Sequence, residues 1–142
     1  MKLTHSHLVK RAEKWLRGTH RCSPVFPEHR CHATSESPDA FGVNSSGSIV
    51  VECKVSVSDF YADQRKPFRK SPDLGMGRLR FYLTPKGLIN QDRLILAPGW
   101  GLAEVCGQKI RIVRPSDVFT QSSNAECLLM RSAWLWNKDM QP

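Results

Sequence analysis

The chain has 142 residues, 40% of them hydrophobic, which bounds it to one domain with a core of its own. Twenty-one Lys and Arg against thirteen Asp and Glu leave a net charge of +8, a balance that favours a polyanionic partner. No apolar run approaches the roughly 18 residues of a membrane span. The N-terminus lacks the apolar centre of a signal peptide, and five irregularly spaced cysteines fit reduced thiols better than a disulfide framework, so a cytoplasmic protein is expected.

In chain order, Leu8, Ala12, Trp15 and Leu16 recur at helical spacing, with Thr4 or Ser6 as N-cap and Gly18 as the stop. Lys2, Lys10, Arg11, Lys14 and Arg17 decorate the other faces and read as solvated charge, and Glu13 flanks the apolar stripe. Between Thr19 and Ser37, His20, Cys22, His29, Cys31 and His32 are dense enough to raise zinc. Their spacing matches no standard finger, and adjacent ligands at Cys31 and His32 suit one tetrahedral ion poorly. The expectation is a short strand from Cys22 to Phe26 and cysteines that serve local structure without metal.

The stretch from Pro38 to Lys54 organises the rest. Ser48 to Lys54 is β-branched and follows a Gly/Ser/Asn turn, which predicts a strand hairpin-paired with a shorter one over Asp39 to Val43. Alternation puts Glu52 and Lys54 on one face and Val51 and Cys53 on the other. An acid and a base then sit together at the end of an apolar strand, where an unpartnered charge is costly. If Asp39 lies across the hairpin from Glu52, two carboxylates converge, an arrangement suited to a hydrated divalent cation and phosphodiester hydrolysis.

Ser56 to Lys66 reads as a helix capped by Ser56 or Ser58 and closed by Pro67, with Phe60 and Tyr61 on its apolar side. From Lys54 to Lys86 eight basic residues face three acidic ones, and Arg65, Lys66, Arg69, Lys70, Arg78 and Arg80 are the candidate phosphate contacts. Arg78 to Leu83 alternates as a strand, with Arg78, Arg80 and Tyr82 on one face and Leu79, Phe81 and Leu83 towards the core. Gly101 to Cys106 and Lys109 to Val113 form a hairpin about Gly107-Gln108, the glycine suiting a type II′ turn, and Glu104 reads as a paired structural acid. Residues 124 to 136 predict a closing helix, with Trp134 near the edge of its stripe.

Pro38-Asp39, then Glu52-Cys53-Lys54 thirteen positions on from the Asp, resembles the signature of the PD-(D/E)XK nuclease superfamily. Ser58-Asp59-Phe60-Tyr61-Ala62-Asp63 through Arg69, Gly75-Met76-Gly77 and Pro98-Gly99-Trp100-Gly101-Leu102 resemble small MmcB-type proteins of bacteria and phages, described as DNA-repair nucleases. The similarity spans roughly Leu8 to Val113. It implies a restriction-endonuclease-like fold, an α/β (α+β) mixed sheet flanked by helices, in one domain over 1–142. It also implies catalytic Asp39, Glu52 and Lys54, with Mg²⁺ or Mn²⁺ held by Asp39 and Glu52. Further acids would be Glu13 from the first helix and Glu36 from the preceding loop, against the plainer readings of a surface ion pair for Glu13 and a solvated loop carboxylate for Glu36. The expected partner is DNA, with no membrane; a second copy of the chain and a partner protein are the other candidates. The competing class is a binding protein that keeps this fold without turnover.

Overall fold

The computed structural model describes residues 2–27, 38–90 and 97–120. Six strands form one mixed sheet in the order β1 to β6: β1 Val25–Pro27, β2 Ala40–Asn44, β3 Gly47–Cys53, β4 Leu79–Pro85, β5 Gly101–Cys106 and β6 Lys109–Arg114. The outer pairs are antiparallel, and β3–β4 and β4–β5 are parallel. Helix α1, His5–Gly18, precedes the sheet; α2, Val57–Gln64, and α3, Pro67–Lys70, connect β3 to β4 through a 3₁₀ turn at Pro72–Leu74. The expected α/β fold of a mixed sheet with flanking helices is the fold observed.

Thr4 caps α1 by accepting from the His7 amide, while the His7 side chain accepts from the Thr4 amide in return. The helix buries Leu8, Val9, Ala12, Trp15 and Leu16 against Ile49, Val51, Cys53, Phe81, Leu83, Ala103 and Val105. The opposite sheet face carries Phe41, Val50, Tyr82 and Leu102, which pack with Phe60, Met76 and Trp100. Alternation along β3 therefore sends Cys53 beneath α1 and Glu52 towards α2, as its sequence predicts.

Three local readings change. Pro67 does more than close a helix: as the first residue of α3 it restarts one after the chain turns at Arg65 and Lys66. β4 has no exposed face, because a central parallel strand is covered on both sides, and Arg80 and Tyr82 are fully buried. The first strand begins at Val25 instead of Cys22 and pairs only with β2. The β5–β6 turn follows expectation, with Gly107 at φ 59 and strand pairing from Cys106 to Lys109. The expected helix over 124–136, with Trp134, lies outside the described residues.

Candidate active site

The hairpin register sets the first carboxylate beside the second. Ala40 pairs with Val51, so Asp39 stands next to Glu52, one step beyond the last β2–β3 pair. The Cys53 amide donates to Asp39 Oδ2 at 2.8 Å, which fixes the carboxylate, and His5 Nε2 of α1 lies 3.3 Å from the same oxygen. Lys54 follows β3 directly, its Nζ 3.7 Å from Glu52 Oε2. Asp39, Glu52 and Lys54 line one open cleft of about 470 Å³ with His5, Asp59, Asp63 and Lys66.

Beneath this cleft lies a network that sequence reasoning missed. Asp63, on the last turn of α2 and 1% exposed, accepts from Arg69 Nε at 2.8 Å and from the Tyr82 hydroxyl at 2.7 Å. Its other oxygen pairs with Lys66 Nζ at 2.9 Å and Lys54 Nζ at 3.4 Å. Arg69, also 1% exposed, reaches Glu52 Oε1 at 3.4 Å and contacts the rings of Trp100 and Phe68, at 4.2 and 4.8 Å from their centroids. The available signal was the spacing Asp63, Lys66, Arg69, two turns of basic residues after an acid. The intervening Pro67 and the run of positive charge made it look like surface instead.

Burial and charge split the two acids. Glu52 is pushed up to about 8, first by desolvation and then by Asp39, with Arg69 and Lys54 only partly offsetting them. Burial alone would raise Asp63 as well, but Arg69, Lys66 and Lys54 outweigh it and hold that carboxyl well below the usual range. Tyr82 is raised by burial and by the adjacent Asp63 charge, so it stays a neutral donor to Asp63. The site therefore has one firmly ionised anchor, Asp63, and one carboxyl, Glu52, that lacks enough positive charge to ionise fully at neutral pH.

An added divalent cation would relieve that deficit, and Asp39 and Glu52 are the carboxylates that would meet it. Asp39 lines the open cleft and Glu52 a nearly buried part of its wall, its oxygens facing Lys54 and Arg69, and Mg²⁺ takes one or two carboxylates while keeping several waters. Among the described residues no group of three or more His, Cys, Asp or Glu side chains forms a fuller metal cage. Mg²⁺ or Mn²⁺ suits such a sparse oxygen site better than zinc does.

The other sequence candidates divide. Glu13 is not brought to the cleft: it pairs with Arg17 at 3.0 Å, one helical turn on. Glu36 lies outside the described residues, as do Cys31 and His32. His20 packs edge-on against Trp15, and Cys22 is buried beside Gly42. Arg65, Lys66 and Lys70 are exposed at the α2–α3 corner, and Arg78 is partly exposed. Arg69 and Arg80 are corrected from phosphate contacts to core residues. Arg80 is fully buried, donates to the carbonyls of Gly77 and Pro72, and stacks on Phe119 at 3.8 Å.

Arg80 also explains Gly75-Met76-Gly77. A Cβ on Gly75 would meet Arg80 Nη1 at 2.6 Å, and Gly77 adopts φ 99 so that its carbonyl can receive Arg80 Nε. Pro98-Gly99-Trp100 places Trp100 against both Tyr82 and Arg69, which ties that motif to the floor of the cleft.

No protein-family model matches the sequence, and no curated protein matches it significantly. A solved structure, a protein of unknown function from Silicibacter pomeroyi, superposes with a TM-score of 0.69 at 20% identity, covering 99% of this chain and 92% of that one. At that identity the likeness is one of fold. No helix among the described residues is long and apolar enough to cross a membrane.

Proposed function

We propose that the chain is a divalent-metal-dependent nuclease that hydrolyses DNA phosphodiester bonds. The observation that carries this reading is the meeting of Asp39, Glu52 and Lys54 in one open cleft, with Glu52 desolvated and short of positive charge. Bound by Asp39 and Glu52, Mg²⁺ or Mn²⁺ would supply charge neutralisation at the phosphate and a water of lowered pKa. The chain's own residues do the rest. Cys53 and His5 hold Asp39 in place, while Asp63 and Glu52 fix the Lys54 ammonium at the cleft wall, where it can orient water or meet developing negative charge. Arg65, Lys66 and Lys70 beside the opening would take flanking phosphates.

A second reading rests on the same network. Lys54 and Arg69 already pair with both Glu52 and Asp63, as they would in a binding module whose ionic cluster only fixes the fold. The two readings separate in one assay: purified protein on plasmid and branched DNA, with and without Mg²⁺ or Mn²⁺. Metal-dependent cleavage supports the nuclease, whereas tight binding without cleavage under every metal supports the module.

A further inference from the structure

A second basic site lies along α1, remote from the carboxylates. The flank of α1 and the β5–β6 hairpin enclose a groove of about 570 Å³ lined by Arg11, Lys14, Trp15, Thr19, Gln108 and Lys109, with Gly18 and Ile110 completing it. Three cations line it, and no acid is among the described residues that do. Arg11, Lys14, Trp15 and Gly18 follow helical spacing on one flank of α1, at angles of about 80° to 180° around the helix from His5 at the cleft. At about 1.5 Å per residue the groove begins about 9 Å along α1 from His5 and ends about 20 Å from it.

In sequence, Arg11 and Lys14 look like ordinary solvated charge. The fold changes that by bringing Lys109, the first residue of β6, into the same groove. The groove is open beside Gly18, where a Cβ would meet nothing within 4 Å. Thr19 and Gln108 add neutral donors, and the neighbouring acid Glu13 is engaged with Arg17.

We propose that this groove binds the phosphate backbone of nucleic acid, as a contact separate from the cleft. Charge complementarity carries the assignment: three cations with neutral donors in a concavity suit a chain of phosphates. The proposal does not rest on cleavage, because a groove that anchors nucleic acid serves a nuclease and a binding module equally.

The test is anisotropy of a short labelled duplex in calcium across a salt series. It compares wild type, Arg11→Gln/Lys14→Gln/Lys109→Gln, and the equal-charge control Lys2→Gln/Lys10→Gln/Lys86→Gln. All three control positions are exposed. The groove variant is expected to lose about tenfold or more in affinity near 0.1 M salt, and its log–log salt slope to flatten by about 2–3. The control should change far less, and thermal melts should show all three proteins folded. Equal losses in both variants, an unchanged slope, or wild-type protein that binds anionic vesicles and not DNA would each overturn the proposal. Groove-dependent binding by a wild-type protein that cleaves no DNA in Mg²⁺ or Mn²⁺ would count against the nuclease reading alone.

Discussion

Replacing Arg69 by Met separates a buried structural cation from a phosphate contact. Arg69 is 1% exposed, donates to Asp63 at 2.8 Å, reaches Glu52 at 3.4 Å and stacks 4.2 Å over Trp100. Methionine keeps much of the volume against Trp100 but leaves two buried acids with less positive charge. Breaking a buried pair from one side costs about 3–5 kcal/mol, because the remaining charge stays desolvated. For a chain of 142 residues that is a fall in Tm of roughly 10–20 °C. The assay is urea unfolding followed by tryptophan fluorescence, with calorimetry for Tm. Adding Asp63→Leu removes the stranded acid, so the double variant should lose less than the sum of the singles. A cost below about 1 kcal/mol for Arg69→Met, with a marked loss of DNA affinity, would refute the burial argument and restore Arg69 as a surface contact.

Other predictions follow from the same geometry. Glu52 is raised to about 8 in the folded chain from 4.5, so the folded state holds its proton over that window while the unfolded state releases it. Without metal, stability should therefore fall as pH rises from about 4.5 to 8, and Glu52→Gln should remove that slope; a pH series of melts checks both. Saturating Mn²⁺ should raise Tm more at pH 8 than at pH 6, because metal binding needs the ionised carboxylate, and equal shifts would argue against Glu52 as a ligand. Gly42→Ala places a Cβ 2.9 Å from the Cys22 side chain and should cost about 1–3 kcal/mol by urea unfolding. Neutralising Arg65, Lys66 and Lys70 together should weaken duplex binding on all sequences and flatten its salt slope by about 2–3.

How much of this was legible depended on where each signal was stored. The β2–β3 hairpin and the facing of Glu52 and Lys54 were readable because strand alternation and one turn determine them, and Cys53 fell on the α1 side for the same reason. Arg80 misled because an arginine alternating with Leu79 and Phe81 describes a half-exposed strand equally well. Its burial depends on Pro72, Gly77 and Phe119, whose approach no local period encodes. Asp63 was hidden similarly: its partners Lys54, Lys66, Arg69 and Tyr82 come from the residue after β3, the α2–α3 turn, α3 and β4, and only the folded chain collects them. Glu13 carried the right chemistry on the wrong helical face, whereas His5, ten residues from Trp15, is the α1 residue that reaches Asp39.

The central claim is that Asp39 and Glu52 form one divalent-metal site with Lys54 acting beside it. Single-turnover DNA cleavage in Mg²⁺ or Mn²⁺, paired with calorimetric metal titration, tests it on the wild type and on Asp39→Ala, Glu52→Ala and Lys54→Ala. Either carboxylate variant is expected to lose both cleavage and metal affinity. Lys54→Ala should keep metal affinity and lose about 10²-fold or more in rate. Full cleavage by Glu52→Ala, with wild-type metal affinity, would contradict it.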